Sequence, residues 1–229
     1  MNSEWMIQLG TIFETNLSIN IFEENFYMSV FYAVLSFVFW MIVPQLEYRF
    51  NLFSQFMDND KTKVHDFLIY FLINNGAYRN LTFNNSLKTN IIIDYGQYAV
   101  LIEIVSLIVA IFGFCLICAT YYRLGLRGIY YGDYFNFRFK ERITKFPFSH
   151  FDNPQYLGTT FLFTGSSIFY HSPAGLFLSF LNLLLYKLFA IMEFYELETF
   201  YPKSTNQDAN DNKEISQKED NKSTKSKSH

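Results

Sequence analysis

Residues Tyr98–Tyr122 read YAVLIEIVSLIVAIFGFCLICATYY and form the most clearly apolar stretch of the chain. Its only charged residue is Glu103, which lies near its start. An α-helix rises 1.5 Å per residue, so about 20 apolar residues are enough to cross the hydrocarbon core of a bilayer. This stretch therefore predicts a transmembrane helix.

Four more apolar runs lie outside this stretch. They are Phe26–Val43, Val64–Tyr78, Tyr156–Tyr170 and Ala174–Met192. The last two are separated by His171-Ser172-Pro173, and proline, which lacks a helix-donor N–H, predicts a tight turn there. We therefore predict an all-α integral membrane protein with four to five transmembrane helices and a C-terminal helical hairpin.

The composition supports a membrane domain followed by a polar tail. Half of the residues are hydrophobic and 21% are aromatic, whereas only 17% are charged. Residues 203–229 differ, because they contain no aromatic residue and cannot bury enough apolar surface to fold. The sequence predicts an N-terminal segment over 1–25, a membrane domain over 26–202 and a disordered tail over 203–229.

Basic residues are distributed unevenly along the chain. Most of the 18 Lys and Arg lie in three segments, 49–63, 123–155 and the tail, while Arg79 and Lys88 fall between them. The positive-inside rule places the three basic segments on the cytosolic side, and with them the C-terminus. The net charge of −3 provides no basic surface for nucleic acid, so no nucleic-acid partner is predicted.

The sequence offers no pattern typical of a metal centre. Cys115 and Cys118 form one CxxC pair inside an apolar run, and zinc sites need further ligands. His65, His150 and His171 have no partner at helical spacing. We expect two unreactive thiols and no metal.

Residues 123–156 carry most of the information about function. The segment is basic, aromatic and punctuated by glycine, which suits the membrane–water interface. It contains, in order, Gly132-Asp133-Tyr134-Phe135, Glu141-Arg142-Ile143-Thr144, Phe146-Pro147-Phe148 and Asp152-Asn153-Pro154-Gln155-Tyr156-Leu157-Gly158. Ser172-Pro173-Ala174-Gly175 follows in the hairpin turn.

These motifs, in this order and spacing, resemble the phospholipid N-methyltransferases. Those small integral membrane enzymes methylate phosphatidylethanolamine toward phosphatidylcholine. The likeness covers Arg123 to Tyr201, and a fainter echo lies at Trp40 and Glu47-Tyr48-Arg49. The resemblance implies a multi-pass enzyme of the endoplasmic reticulum membrane with a phospholipid as its substrate.

The resemblance also implies S-adenosyl-L-methionine (SAM) as the methyl donor. The family's Gly-x-Gly motif aligns with Ile111-Phe112-Gly113, so only Gly113 matches. Its Glu-Glu pair aligns with Glu193-Phe194, and Glu196, one helical turn later, could supply the second carboxylate. The predicted SAM contacts are Gly113, Asn153, Tyr156, Glu193 and Glu196.

The remaining predicted site residues concern the amine and the lipid. Methyl transfer needs a neutral amine, so a group must accept its proton; Asp133, Glu141, His150 and water stay open. The lipid headgroup is assigned to Tyr134, Arg142 and Phe148, whose rings suit an ammonium group and whose guanidinium suits a phosphate.

Two other functions stay open at this point. Asn153-Pro-x-Tyr-x-Gly also resembles the His-Pro-x-Tyr-x-Gly box of isoprenylcysteine carboxyl methyltransferases, which modify proteins. Alternatively, Ile111 and Phe194 mark a non-catalytic relative that has lost SAM binding. Structural readings also compete: Gly113 suits close helix packing, and Asn153-Pro154 is typical of a helix start with Asn as the cap. The sequence predicts no oligomeric state.

Overall fold

The computed structural model describes residues 19–90, 92–135, 137, 139 and 143–200, with side chains up to residue 193. Every regular element in this part of the chain is helical. The five long helices are α1 (Glu24–Phe50), α2 (Lys61–Thr89), α3 (Ala99–Ile129), α4 (Pro154–Phe169) and α5 (Pro173–Phe200). Short 3₁₀ turns lie at Ser54–Phe56, Gly96–Tyr98 and Gly132–Phe135. The prediction of an all-α fold is confirmed.

The chain divides into two compact units, Met1–Ile191 and Met192–His229. Helices α1 to α4 and the part of α5 up to Ile191 lie within the first unit. The predicted tail over 203–229 lies outside the described residues, as do the first eighteen residues of the predicted N-terminal segment. The predicted domain boundaries therefore stay predictions.

Three segments are long and apolar enough to cross a membrane: Glu24–Phe50, Gly96–Phe135 and Pro173–Glu193. Their most apolar windows have mean hydropathies of 2.0, 2.9 and 1.8. Helix α3 exposes Ile104, Ile108 and Ile111, as expected where lipid covers a helix. Three of the predicted spans thus meet this criterion, and the total of four to five stays a prediction.

The helix starts follow ordinary capping chemistry in two cases and depart from it in a third. The Glu23 carboxylate accepts hydrogen bonds from the N–H groups of Asn25 and Phe26, and Asp60 caps α2 in the same way. At α4 the expected proline occupies the first turn, but the Asn153 side chain forms no capping hydrogen bond. The expectation that Asn153 caps α4 is therefore wrong. Asn153 has a φ of −130°, and Pro154, whose ring already fixes its own φ, begins the helix without a capping hydrogen bond.

Helices α3 and α4 pack backbone to backbone through small residues. A Cβ added at Gly113 would lie 2.5 Å from the carbonyl oxygen of Gly158, and one at Gly165 would lie 2.6 Å from that of Ser106. Only glycine allows such an approach, which is typical of helix pairs in membranes. The packing role expected for Gly113 is confirmed.

Helices α4 and α5 form the predicted antiparallel hairpin. Near the turn, the hydroxyl oxygens of Ser167 and Ser179 lie 3.1 Å apart. Farther along, the rings of Tyr156 and Tyr186 stack with centroids 5.1 Å apart. In the turn, His171 adopts a φ of 55°. Its Nδ1 lies 3.0 Å from the carbonyl oxygen of Ile93 and its Nε2 lies 3.0 Å from the Glu103 carboxylate, and these contacts hold the hairpin turn in place.

Candidate active site

A cavity of about 420 Å³ lies among all five helices. Tyrosine, tryptophan and phenylalanine rings supply much of its wall, and Asn182, Gln155 and Ser36 add polar groups. Arg79 is the one lining residue with a charged side chain among those described. The cavity is therefore an aromatic chamber with a single cation, of a size that suits a small ligand or a headgroup.

The aromatic wall is continuous. Trp40 packs against Tyr130 with ring centroids 5.1 Å apart and against Phe189 at 6.4 Å. Phe189 lies 5.8 Å from Tyr156, which stacks on Tyr186. Electron-rich ring faces attract ammonium and other onium cations, with about 0.5–2 kcal/mol per good contact. This wall can hold a cationic group.

Arg79 lies at one end of that wall. Its guanidinium donates to the hydroxyl of Tyr186 at 2.5 Å and to the Asn80 side-chain oxygen at 3.3 Å. The guanidinium carbon is 5.3 Å from the centre of the Phe163 ring. Nε of Arg79 is buried without a hydrogen-bond partner. Among the described residues no carboxylate forms an ion pair with it.

A buried histidine fixes the segment that follows α3. His65 on α2 is fully buried, and its Nε2 lies 2.7 Å from the carbonyl oxygen of Tyr130, so Nε2 carries a proton and donates it. The imidazole stacks on Phe135 with ring centroids 4.6 Å apart. Next to it, Asp66 and Arg127 form an ion pair at 3.2 Å. Tyr130, a cavity residue, is thereby held in place from outside the cavity.

The Gly132-Asp133-Tyr134 motif packs against α1 beside the cavity. The Tyr131 hydroxyl donates to the carbonyl oxygen of Trp40, and Gln45 donates to the Tyr134 hydroxyl at 3.2 Å. A Cβ at Gly132 would lie 2.6 Å from the Arg127 carbonyl oxygen, so the turn requires glycine. The motif therefore shapes the cavity through Trp40 rather than lining it.

The predicted site residues fall into distinct places. Tyr156 lines the cavity, and Tyr134 and Asp133 lie in the turn that supports Trp40. Gly113 lies in the α3–α4 interface, and Phe148, His150 and Asn153 lie in the turns before α4, outside the cavity lining. His150 is exposed, with Nδ1 2.7 Å from the Ser149 hydroxyl.

Other predicted residues cannot be placed relative to the cavity. Glu141 and Arg142 lie outside the described residues, as does the side chain of Glu196. Glu193 is half-buried and belongs to the second unit, Met192–His229. Their assigned roles stay predictions.

Sequence reasoning missed Arg79, Trp40 as a cavity residue, and His65. Arg79 directly follows the predicted span Val64–Tyr78, but α2 continues past it to Thr89. Arg79 and His65 carried a signal, because a charged or ionisable side chain in or beside an apolar run marks a functional or positioning role. Trp40 was marked only by its place in the fainter family echo. Within the described residues no group of three or more His, Cys, Asp or Glu could hold a metal ion.

The helices and the cavity define an all-α membrane protein with an aromatic chamber. Comparison with known proteins is specific: residues 101–204 match the phospholipid methyltransferase family. The chain is 32% identical over 172 residues to phosphatidylethanolamine N-methyltransferase A of Dictyostelium discoideum, covering 75% of this chain and 79% of that protein. It is also 32% identical over 161 residues to phosphatidyl-N-methylethanolamine N-methyltransferase of Schizosaccharomyces pombe, covering 69% and 82%.

A mammalian relative agrees. Phosphatidylethanolamine N-methyltransferase of Rattus norvegicus is 28% identical over 171 residues, covering 75% of this chain and 85% of that protein. No solved structure matches the chain. The protein therefore belongs to the phospholipid methyltransferase family, and the resemblance predicted from its motifs is confirmed. These names favour N-methylation over the carboxyl-methylating alternative.

Proposed function

We propose that this protein transfers a methyl group from SAM to the amine of phosphatidylethanolamine, of its mono- and dimethyl forms, or of both, producing phosphatidylcholine. The observation that carries the proposal is the aromatic cavity inside the helical bundle of a family member. Relatives named for either the unmethylated or the monomethylated acceptor are similarly close, so both acceptors are included.

The cavity suits the chemistry of amine methylation. Trp40, Tyr130, Tyr156 and Phe189 surround a space in which an ammonium product is stabilised by ring faces. The surrounding helices restrict the approach of the amine and the methyl group to a narrow range of geometries. The residues of this chain thus bind and orient the amine.

SAM, when bound, supplies the methyl group as a sulfonium. The described residues fit such a group, because the cavity offers ring faces for a cation and Tyr156, a predicted SAM contact, lines it. We further propose that Glu193 and Glu196 provide carboxylates that balance the cationic donor, with Asn153 and Gly113 as the remaining predicted contacts.

For the proton acceptor we propose Asp133 ahead of His150. Asp133 is half-buried in the turn whose Tyr131 bonds to the backbone of Trp40. His150 is exposed and bonded to its neighbour Ser149. Glu141 stays a further candidate, and Arg142, Tyr134 and Phe148 stay candidate headgroup residues. We place the protein in the endoplasmic reticulum membrane with its C-terminus in the cytosol.

The proposal is tested by methyl transfer in membranes that contain the expressed protein. The membranes receive SAM with a labelled methyl group and either phosphatidylethanolamine or its monomethyl form. Label in phosphatidylcholine from both acceptors identifies an enzyme of all three steps, and label from the monomethyl form alone identifies an enzyme of the later steps. Label in protein rather than lipid supports carboxyl methylation, and no label from folded protein supports a non-catalytic relative.

A further inference from the structure

We propose that Arg79 binds the phosphate of the phospholipid headgroup, while the adjoining rings receive its amine. The proposal rests on the proposed function, because it names how the acceptor is recognised in the same cavity. It assigns a substrate-binding role to a residue that no motif of the sequence had marked.

Holding the positive charge of Arg79 in apolar surroundings costs free energy. Arg79 lies in the wall of a largely aromatic and aliphatic chamber, and the described part of the chain offers it no carboxylate partner. An arginine amid membrane helices is costly unless it is paired. A bound anion would remove that cost.

Arg79 also has hydrogen-bonding capacity that its neighbours do not use. A guanidinium has five N–H donors in a planar fork that matches two oxygens of a phosphate. The hydrogen bonds of Arg79 to Tyr186 and Asn80 use two donor nitrogens, and the buried Nε has no partner. The Ser36 hydroxyl, which also lines the cavity, is buried without a partner as well.

The sign of the charge that the cavity wall favours changes along its length. The guanidinium of Arg79 packs on the Tyr186 ring, which stacks on Tyr156. Phe189 contacts both Tyr156 and Trp40, so the rings form a continuous row from Arg79 to Trp40. An anion is favoured at the arginine end, whereas a cation is favoured by the ring faces. A zwitterionic headgroup with phosphate and amine a few bonds apart matches this polarity.

The carboxylate of SAM is another anion with the same chemistry as the lipid phosphate. Affinities for the lipid and for SAM are therefore measured separately, and a role in SAM binding is one of the outcomes.

The test measures binding without requiring catalysis. The chain has two tryptophans, so Trp5→Phe leaves Trp40 as the only tryptophan, whose fluorescence is excited selectively over that of tyrosine, and Trp40 lines the cavity. Purified full-length protein in detergent is titrated with short-chain phosphatidylethanolamine, and SAM affinity is measured separately by equilibrium dialysis. We expect Arg79→Gln to raise the half-saturating lipid concentration at least tenfold with unchanged SAM affinity. Lys88→Gln, which removes an exposed cation from the same helix, should change neither.

Two further measurements distinguish a loss of lipid binding from misfolding of the Arg79→Gln variant. Arg79→Lys keeps the charge without the planar fork and should give an intermediate loss. With the Trp5→Phe protein, glycerophosphoethanolamine should compete with the lipid, whereas ethanolamine, which lacks phosphate, should not.

Several results would overturn the assignment: equal competition by ethanolamine, no lipid binding at all, no effect of Arg79→Gln, or a loss of SAM affinity in that variant. The proposed function fails separately, when the wild-type protein binds lipid but transfers no methyl group.

Discussion

His65 shows how a single side chain can position a site that it does not enter. It donates to the backbone of Tyr130 and stacks on Phe135, so it joins α2 to the end of α3 and the turn after it. In the sequence, His65 is one of several polar residues within the apolar run Val64–Tyr78. The partner lies 65 residues away, and a contact of that separation leaves no local pattern.

Replacing His65 by Ala should destabilise the fold. The Tyr130 carbonyl would lose its donor in a buried place, and a buried unsatisfied group costs about 1–3 kcal/mol, to which the lost ring packing adds. Thermal unfolding in detergent measures the change, with Tyr70→Ala, an exposed position on the same helix, as the control. Equal melting temperatures for the two variants would contradict the positioning role.

At the scale of the helix, the cap of α1 predicts a pH dependence. Burial raises the pKa of Glu23, but hydrogen bonds from Asn25 and the Phe26 N–H outweigh it and lower the pKa below its ordinary value of 4.5. A carboxyl whose pKa is lower in the folded state stabilises above its unfolded pKa and loses that effect as the pH falls through the folded pKa.

We therefore expect Glu23→Gln to lower stability by about 1 kcal/mol at pH 7, the usual worth of a capping side chain. The difference in unfolding free energy between wild type and Glu23→Gln should shrink as the pH falls from about 4.5, where unfolded carboxyls of this type begin to protonate. Unfolding free energies measured across this pH range check the prediction, with Glu24→Gln, a change at an exposed position, as the comparison. A difference independent of pH would argue against an ionised cap.

The interface between α3 and α4 separates two readings of Gly113. A methyl group there would lie 2.5 Å from backbone, so Gly113→Ala should push the helices apart and cost about 1–3 kcal/mol. Gly76→Ala on α2, where nothing lies within 4 Å, should instead be neutral or slightly stabilising. If Gly113→Ala lowers SAM affinity at unchanged stability, Gly113 is a donor contact and the packing role is secondary.

The sequence predicted these helices better than it predicted their ends. The apolar run Val64–Tyr78 indicated α2, yet the helix extends to Thr89 through a polar stretch. It does so because Phe83 and Leu87 pack into a core with Phe163 and Leu178, and tertiary packing outweighs weak local propensity. The same extension brings Arg79 into the cavity wall, which a reading by hydropathy cannot show.

At the scale of the whole molecule, the family motifs mark only part of the cavity. Tyr156, predicted as a SAM contact, lines it, and the Gly132-Asp133-Tyr134 turn lies beside it; the roles assigned to these residues stay predictions. The rest of the chamber comes from residues on five helices that no single motif joins. The proposed function depends on a cavity that forms only when the helices assemble. It is therefore best tested with a larger side chain that fills this cavity.

Methyl transfer by a cavity-filled variant is the most direct such measurement. Gly76 lines the cavity, and no atom lies within 4 Å of a Cβ built there, so Gly76→Leu should occupy the chamber without disturbing the helices. Cys115→Leu adds bulk to an exposed position on α3 and serves as the matched control. We expect at least a tenfold loss of labelled methyl in phospholipid for Gly76→Leu, with Cys115→Leu close to wild type. Full activity of a folded Gly76→Leu protein would contradict the claim that this cavity is the active site.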